Sequence, residues 1–204
     1  MVEKAKQILK LLTDNGYTAY MVGGFVRDYV MSLEFHDIDI ATSAKPEQIV
    51  ELGTKVGYKV WYSANGINHG TIAYTIEGDT FEITSYRKDV SCDGRNAIIE
   101  YASTIEEDLS RRDFTMNALA MDINGNIIDP FNGQLDIQNK IVRFVGNPVD
   151  RINEDNLRIM RAIRFASRFG FKIEEKSWGA IVENKDKVKN LSVERVWDEF
   201  KKIL

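Results

Sequence analysis

The stretch from Tyr20 to Thr42, YMVGGFVRDYVMSLEFHDIDIAT, constrains this chain more than any other. The apolar run Ala19 to Val22 reads as a buried strand, which Gly23 and Gly24 break. Glycines at such a point let backbone N–H groups approach an anion closely, and the helix start that follows adds partial positive charge. Arg27 adds a full charge near that end. In His36-Asp37-Ile38-Asp39-Ile40-Ala41, polar and apolar residues alternate. The period of two predicts Asp37 and Asp39 on one face of a strand and Ile38 and Ile40 on the other. Two carboxylates so placed repel unless a cation lies between them, and magnesium prefers carboxylate and phosphate oxygens. A phosphate cradle beside a two-carboxylate metal site is equipment for phosphoryl or nucleotidyl transfer. Each half alone is commonplace, a turn or a strand with solvent-facing aspartates. The order and close spacing of the two carry the signal.

At 204 residues the chain can bury one solid core, or one core with a helical appendage. Its net charge of −4 does not advertise a nucleic-acid binder, yet the basic residues cluster late and can form a local patch. Its one cysteine, Cys92, excludes an internal disulfide and suits a reducing compartment. No signal peptide and no apolar run of membrane-spanning length appear, so the expectation is a cytoplasmic protein that does not engage a membrane.

Along the chain, Ala5, Ile8, Leu9 and Leu12 form one face of an opening helix that Asn15-Gly16 ends. Pro46 starts a helix that runs to about Val56. Lys59 to Tyr62, Thr71 to Ile76 and Thr80 to Tyr86 read as strands, the last two joined by a turn at Glu77-Gly78-Asp79. Irregular alternation of strands and helices predicts a mixed sheet with helices packed on it. In Phe81-Glu82-Ile83-Thr84, Glu82 shares a face with Thr84. It is either a third metal ligand or base on a strand next to the aspartates, or an ordinary surface residue. Arg87 to Glu100 lacks clear periodicity and reads as a mobile loop.

Ser103-Thr104-Ile105-Glu106 is a capping-box pattern opening a helix that leads into Arg111-Arg112-Asp113-Phe114-Thr115-Met116-Asn117. Adjacent arginines on a helix diverge, so one should face a ligand and one the structure. Asp113 and Asn117, one turn apart, offer an acceptor and an amide to a sugar or base; the alternative is a salt-bridge cluster beside an apolar Phe114–Met116–Leu119 core. Asn124-Gly125 predicts a type I′ hairpin between Ala120-Met121 and Ile127-Ile128. Asp129 to Gly133 turns the chain toward a short strand at Ile141 to Val145.

From Asn153, as N-cap, the pattern is helical, with a core stripe of Ile159, Ala162, Ile163, Ala166 and Phe169. Arg158, Arg161, Arg164 and Arg168 fall within an arc of roughly 120° beside it, with no acid in the same arc. Their donors suit phosphates or nucleobase edges, or else they form a solvated basic face. Ser177 to Lys189 and Ser192 to Leu204 read as two more helices, and the apolar ending suggests that more protein follows.

Taken together, GGFVRD with HDIDIAT, RRDFTMNALA, DPFNGQLDIQNKIVRFVG, EDNLRIMRAIRFASRFGF and SVERVWDEFKKIL resemble, in order, the class II tRNA nucleotidyltransferases and their relatives the bacterial poly(A) polymerases. The resemblance covers the chain from Tyr20 and implies an α+β fold. It comprises a polymerase-β-like nucleotidyltransferase head with a mixed β-sheet (1–145) and an all-helical neck (146–204). It implies that Gly23, Gly24 and Arg27 form a triphosphate cradle, and that Asp37 and Asp39 bind Mg2+. By the same resemblance Arg111, Arg112, Asp113 and Asn117 recognise the ribose, Asp155 and Arg158 read the base, and Arg161 and Arg164 contact nucleotide. The implied partners are a tRNA 3′ end, CTP and ATP. CC-adding, A-adding and poly(A)-polymerase activities are the near alternatives, and a non-catalytic RNA-binding module is the distant one. The Asp93-Gly94-Arg95 loop favours full CCA or A addition over CC alone. Met31-Ser32-Leu33-Glu34 stands where the family usually has Leu-Gly, and the resemblance implies that tRNA-gripping domains would follow the neck.

Overall fold

The computed structural model describes residues 1–62, 70–92 and 97–203, with side chains described for all of these except 89–92 and 97–99. Helix α1 (Val2–Asp14) buries Ala5, Ile8, Leu9 and Leu12, the face that the sequence predicts. There follow β1 (Ala19–Val22), α2 (Gly24–Val30), β2 (Asp39–Thr42), α3 (Pro46–Lys55), β3 (Lys59–Trp61), β4 (Thr71–Ile76) and β5 (Asp79–Ser85). Two short strands, β8 (Ala120–Met121) and β9 (Ile127–Ile128), complete a seven-stranded sheet of order β3-β4-β5-β2-β1-β8-β9. Only β2 and β5 pair in parallel, so the sheet is mixed as expected. That parallel pairing sets Asp39 level with Glu82 and Ile40 level with Ile83. Side chains alternate along each strand, so the two isoleucines are buried while the two carboxylates stay open.

One apolar cluster runs from Ile8, Met21 and Ile40 through Phe114 and Phe144 to Ile159, Phe165 and Ile181. Phe114 is its pivot, with ring centroids 4.9 Å from Phe144 and 5.6 Å from Phe165. Burying an aromatic ring of this kind stabilises by roughly 2–3 kcal/mol. The strands β10 (Ile141–Val142) and β11 (Lys172–Ile173) also pair across the expected head–neck boundary at 145. The core therefore crosses that boundary without a gap.

Several local expectations change. Where the sequence predicts an aperiodic loop over Arg87 to Glu100, two strands, β6 (Arg87–Cys92) and β7 (Ala97–Tyr101), pair antiparallel. Their register shifts between Asp89 and Ser91, which erases the two-residue period in the sequence. Asp93-Gly94-Arg95 lies outside the described residues, as does the Cys92 side chain. Asn124-Gly125 does not make a type I′ turn, because only Gly125 has positive φ. The Asp122 carboxylate accepts from the Asn124 and Asn126 amides and wraps a longer loop. A helix, α5 (Gly133–Gln138), fills the turn after Asp129, whose carboxylate accepts from the Gly133 and Gln134 N–H groups.

Helix α4 (Ile105–Ser110) has its capping box one residue later than the predicted Ser103–Glu106, between Thr104 and Glu107, and it stops before Arg111. The segment expected to start at Asn153 is two helices, α6 (Pro148–Glu154) and α7 (Leu157–Phe169), broken at an extended Asp155. Asn147 caps α6 and Pro148 opens it, so Asn153 lies within a helix that has already begun. On α7, Ile163 is exposed and Phe165 is buried, so the core stripe runs through Ile159, Ala162 and Phe165. The first of the last two helices, α8 (Glu175–Glu183), is shorter than predicted and gives way to a 3-10 turn at Lys185–Asn190. The last is α9 (Val193–Lys201).

The unusual Met31-Ser32 junction ends α2 with Ser32 at φ 55°. Leu33 N–H donates to the Asp28 carbonyl and Ser32 N–H to the Tyr29 carbonyl, a Schellman closure that needs a left-handed residue. A side chain there costs about 1 kcal/mol, partly offset by the greater unfolded-state freedom of glycine. Ser32→Gly is expected to stabilise the protein by about 0.5 kcal/mol, raising Tm by about 1–2 °C in calorimetry.

Candidate active site

The Gly23-Gly24 turn, the Asp39/Glu82 pair, the Arg111–Asp113 segment and the start of α7 surround one cleft of about 470 Å³. Gly23 begins α2 at φ 71°, and its N–H donates to the Leu119 carbonyl. A Cβ on Gly23 would sit 2.7 Å from Nη1 of Arg112. The positive φ is what calls for glycine there, while the guanidinium beside it is the movable end of a side chain.

Asp39 lines this cleft, while Asp37 precedes the strand and lines a smaller cavity of about 270 Å³ that Asp39 shares. The predicted alternation still holds across them, with Ile38 and Ile40 buried. Asp39 is open to the cleft, yet desolvation lifts its carboxyl above the usual range, Glu82 and Asp37 add to the rise, and Arg112 opposes it. Crowded carboxylates of this kind fit a divalent cation, whose charge would relieve their repulsion. Among the described residues no group of three or more His, Cys, Asp or Glu is assembled to hold a metal.

The two adjacent arginines do not diverge, because α4 ends at Ser110. Arg111 donates to Oδ1 of Asp108 at 2.9 Å and Arg112 to Oδ2 at 3.1 Å. Burial works against the charge on Asp108, but the two guanidiniums outweigh it and hold its carboxyl below the usual range. Asp108 escaped the sequence reading, although its spacing of three and four from the arginines was a usable signal. Nε of Arg112 is buried without a hydrogen-bond partner.

Asp113 and Asn117 do come together, with Asn117 Nδ2 donating to Asp113 Oδ1 at 3.0 Å. The other Asp113 oxygen accepts from Arg161 Nε at 2.7 Å. Burial again opposes the charge, and Arg161 first among the favourable partners keeps the Asp113 carboxyl low. Asn117 Oδ1 accepts from Arg27 Nη1 at 2.7 Å. Arg27 is buried, bonded also to Asp28, and stacked over Phe165 and Phe169 at 5.2 and 5.0 Å.

The basic flank of α7 is not free of acids, as its own sequence suggests; they arrive from other elements. Arg158 donates to Glu154 at 2.6 Å and to the Arg111 carbonyl at 3.0 Å. Arg164 is buried, bonded to Glu199 at 2.5 Å, and does not line the cleft. Arg168 stacks over Phe169 and makes no ion pair among the described residues. Asp155 and Arg158 both line the cleft, but Asp155 sits in the helix break and not on a helical turn. Its Oδ1 accepts from Leu157 N–H at 3.0 Å, and Arg195 Nη2 approaches Oδ1 and Oδ2 at 3.1 and 2.9 Å. Sequence reasoning missed Arg195 and Glu199, which reach the region from a helix 40 and 35 residues away in the chain.

Folded-state carboxyls held low bind protons less readily than the unfolded chain does, so stability rises with pH through their titration. The contribution of Asp108 and Asp113 is complete above about pH 5 and is lost as pH falls below about 4. Acid unfolding followed by circular dichroism should show this. Asp113→Asn should cost about 2–3 kcal/mol at pH 7 and flatten the acid limb.

The poly A polymerase head domain model matches residues 19–143, and that of the probable RNA and SrmB-binding site of polymerase A matches residues 170–204. The CCA-adding enzyme of Lactobacillus helveticus is 45% identical over 202 residues, which are 98% of this chain and 49% of that protein. The crystal structure of the Bacillus stearothermophilus CCA-adding enzyme in complex with CTP superposes with a TM-score of 0.89 at 41% identity, over 98% of this chain and 48% of that one. A tRNA nucleotidyltransferase complexed with a primer tRNA and an incoming ATP analog gives 0.77 at 32% identity, over 98% of this chain and 55% of that one. The chain spans about half the length of the curated relatives it matches. The head-domain match covers more than half of the chain and its sheet, and this chain belongs to the poly A polymerase head domain family.

Proposed function

We propose that this chain carries the centre of a CCA-type tRNA nucleotidyltransferase, in which a tRNA 3′-hydroxyl attacks the α-phosphate of CTP or ATP and pyrophosphate leaves. The observation that supports this most is the meeting, in one cleft, of the crowded Asp39 and of Arg112 with its unpartnered buried Nε. The ligands in the names of the solved relatives, CTP, primer tRNA and an ATP analog, have the matching chemistry. Asp37 and Asp39 would hold magnesium, which polarises phosphate oxygens and favours ionisation of the hydroxyl.

The chain's own residues divide the remaining work. Arg112, pressed against the Gly23 backbone, donates to the phosphates. Arg27 is committed to Asp28, Asn117 and two rings, so it supplies charge beneath the Gly-Gly turn and holds that turn in place. Asp113 and Asn117 fix Arg161 at the wall, beside the ribose. Glu82, level with Asp39, accepts the proton from the attacking hydroxyl.

Asp155 and Arg158 discriminate the base. Three hydrogen bonds occupy Arg158, leaving donors free of the five that a guanidinium carries. Cytosine and adenine each present an amino donor beside a ring acceptor, which suits a carboxylate next to a guanidinium. Uracil and guanine invert that order, at a cost on the order of a few kcal/mol, a hundredfold or more in selectivity.

Asp37→Ala and Asp39→Ala should each lower incorporation of labelled CTP or ATP into a tRNA lacking its 3′ end by on the order of a hundredfold or more. Relief of crowding should leave the Tm of Asp39→Ala, without metal, at or above that of the unaltered protein. Turnover near the unaltered level in either variant would refute the assignment of this pair.

A further inference from the structure

Helix α9 directs two side chains, spaced i and i+4, toward the base-reading end of the cleft. Arg195 Nη2 bridges Oδ1 and Oδ2 of Asp155 at 3.1 and 2.9 Å. Glu199 accepts from Arg164 Nε at 2.5 Å and lies 3.9 Å from Arg161 Nη1. The chemistry above uses neither residue. We infer that Arg195 is a positioning residue for nucleobase selection, which aims the Asp155 carboxylate at the exocyclic amino group of the incoming base. This rests on the proposal that Asp155 reads the base.

The need for such a residue follows from the helix break. Asp155, at φ −150° and ψ 109°, is outside both flanking helices, so no helical ladder fixes its side chain. Its bond from Leu157 N–H engages only Oδ1. The terminal torsion of an aspartate is broad, and one hydrogen bond leaves the carboxylate plane free to turn. A single nitrogen in contact with both oxygens fixes that plane. A carboxylate offers about four acceptor sites. Leu157 takes one and Arg195 two, which leaves a site on Oδ2 for one more donor. An amino group satisfies it, whereas a carbonyl oxygen in the same place faces a lone pair.

Glu199 explains why Arg195 is where it is. Its carboxylate is buried against Arg164, which fixes the rotation of α9 against α7 and leaves Arg195, one turn earlier, opposite Asp155. The Arg195 and Asp155 side chains are 34% and 32% exposed, so their ion pair adds little to stability. Its effect is on direction, and loss of function is separable from loss of fold.

The test compares Arg195→Met, Arg195→Lys and Asp155→Asn in the full-length protein. kcat/KM is measured for CTP, ATP, UTP and GTP, each alone, with a tRNA lacking its 3′ end. Arg195→Met should lower the preference for CTP over UTP about tenfold, with Tm little changed, since a charged hydrogen bond is lost. Arg195→Lys, whose Nζ is also a single nitrogen able to touch both oxygens, should restore most of it. An unchanged preference in Arg195→Met, while Asp155→Asn loses it, overturns the inference and leaves the base-reading proposal standing. An unchanged preference in Asp155→Asn itself removes both. Tighter CTP binding by Arg195→Met with selectivity intact also overturns it, because Arg195 would then be blocking the site. Should Arg195→Met fail to fold, Arg195→Gln, which loses the charge but keeps a donor, is read by the same criteria.

Discussion

The carboxylate of Asp113 is the contact on which the cleft depends. One oxygen accepts from the Phe114 N–H at 2.8 Å and from Asn117, and the other from Arg161. Through Asn117 it reaches Arg27 on α2, and through Arg161 it reaches α7. Three segments distant in sequence are thereby fixed around one buried charge. Beneath it, Phe165 packs against Phe114 while Arg27, Arg161 and Arg164 stand over its ring at 5.2, 5.4 and 4.1 Å. The ring face carries the negative end of its quadrupole, so one phenylalanine helps three guanidiniums share a small volume.

That crowding needs acids, and the protein supplies them from outside the basic helix. Glu154, Asp113 and Glu199 each meet an arginine of α7, and Asp108 serves Arg111 and Arg112 together. The electrostatic character of the cleft thus comes from placement and not from the net charge of −4. Guanidiniums held by carboxylates on one side keep their remaining N–H groups aimed at the other. Such preorganised donors need no rearrangement when an anion arrives.

Local signals were read well from the sequence because their causes are local. The buried face of α1, the span of β1 and the alternation around Ile38 and Ile40 follow from neighbours a few residues apart, and the capping box before α4 is found one residue from where its pattern puts it. Failures trace to distant partners or to irregular backbone. The bulge between Asp89 and Ser91 hid a pair of strands, and Asp122 replaced a two-residue turn with a wrapped loop. The arginines of α7 looked unpaired because Asp113 lies 48 residues and Glu199 35 residues away from their partners. Arg164 shows the consequence most plainly, since a position that matched a nucleotide-contacting motif is buried against Glu199.

The break at Asp155 unites these features. A continuous helix from Pro148 to Phe169 would turn residues 155 and 158 along one rigid flank, with the carboxylate held by its rotamer alone. In the observed form, α6 ends with Glu154 paired to both Arg151 and Arg158, so the last residue of one helix ties down the first turn of the next. Asp155, left extended, accepts from the N–H of Leu157, the first residue of α7, from one position before the Asn156 N-cap. The same side chain therefore ends one constraint, starts another and remains open to the cleft. At the far end Asp39 is raised by desolvation and by its neighbours' charges, a strain that an apolar or amide residue would relieve. The two ends differ in kind: carboxylates crowd at one without enough cations, and at the other each arginine that lines the cleft is already held. In the proposed function a triphosphate with its counter-cation complements the first, and a base with a donor beside an acceptor complements the second.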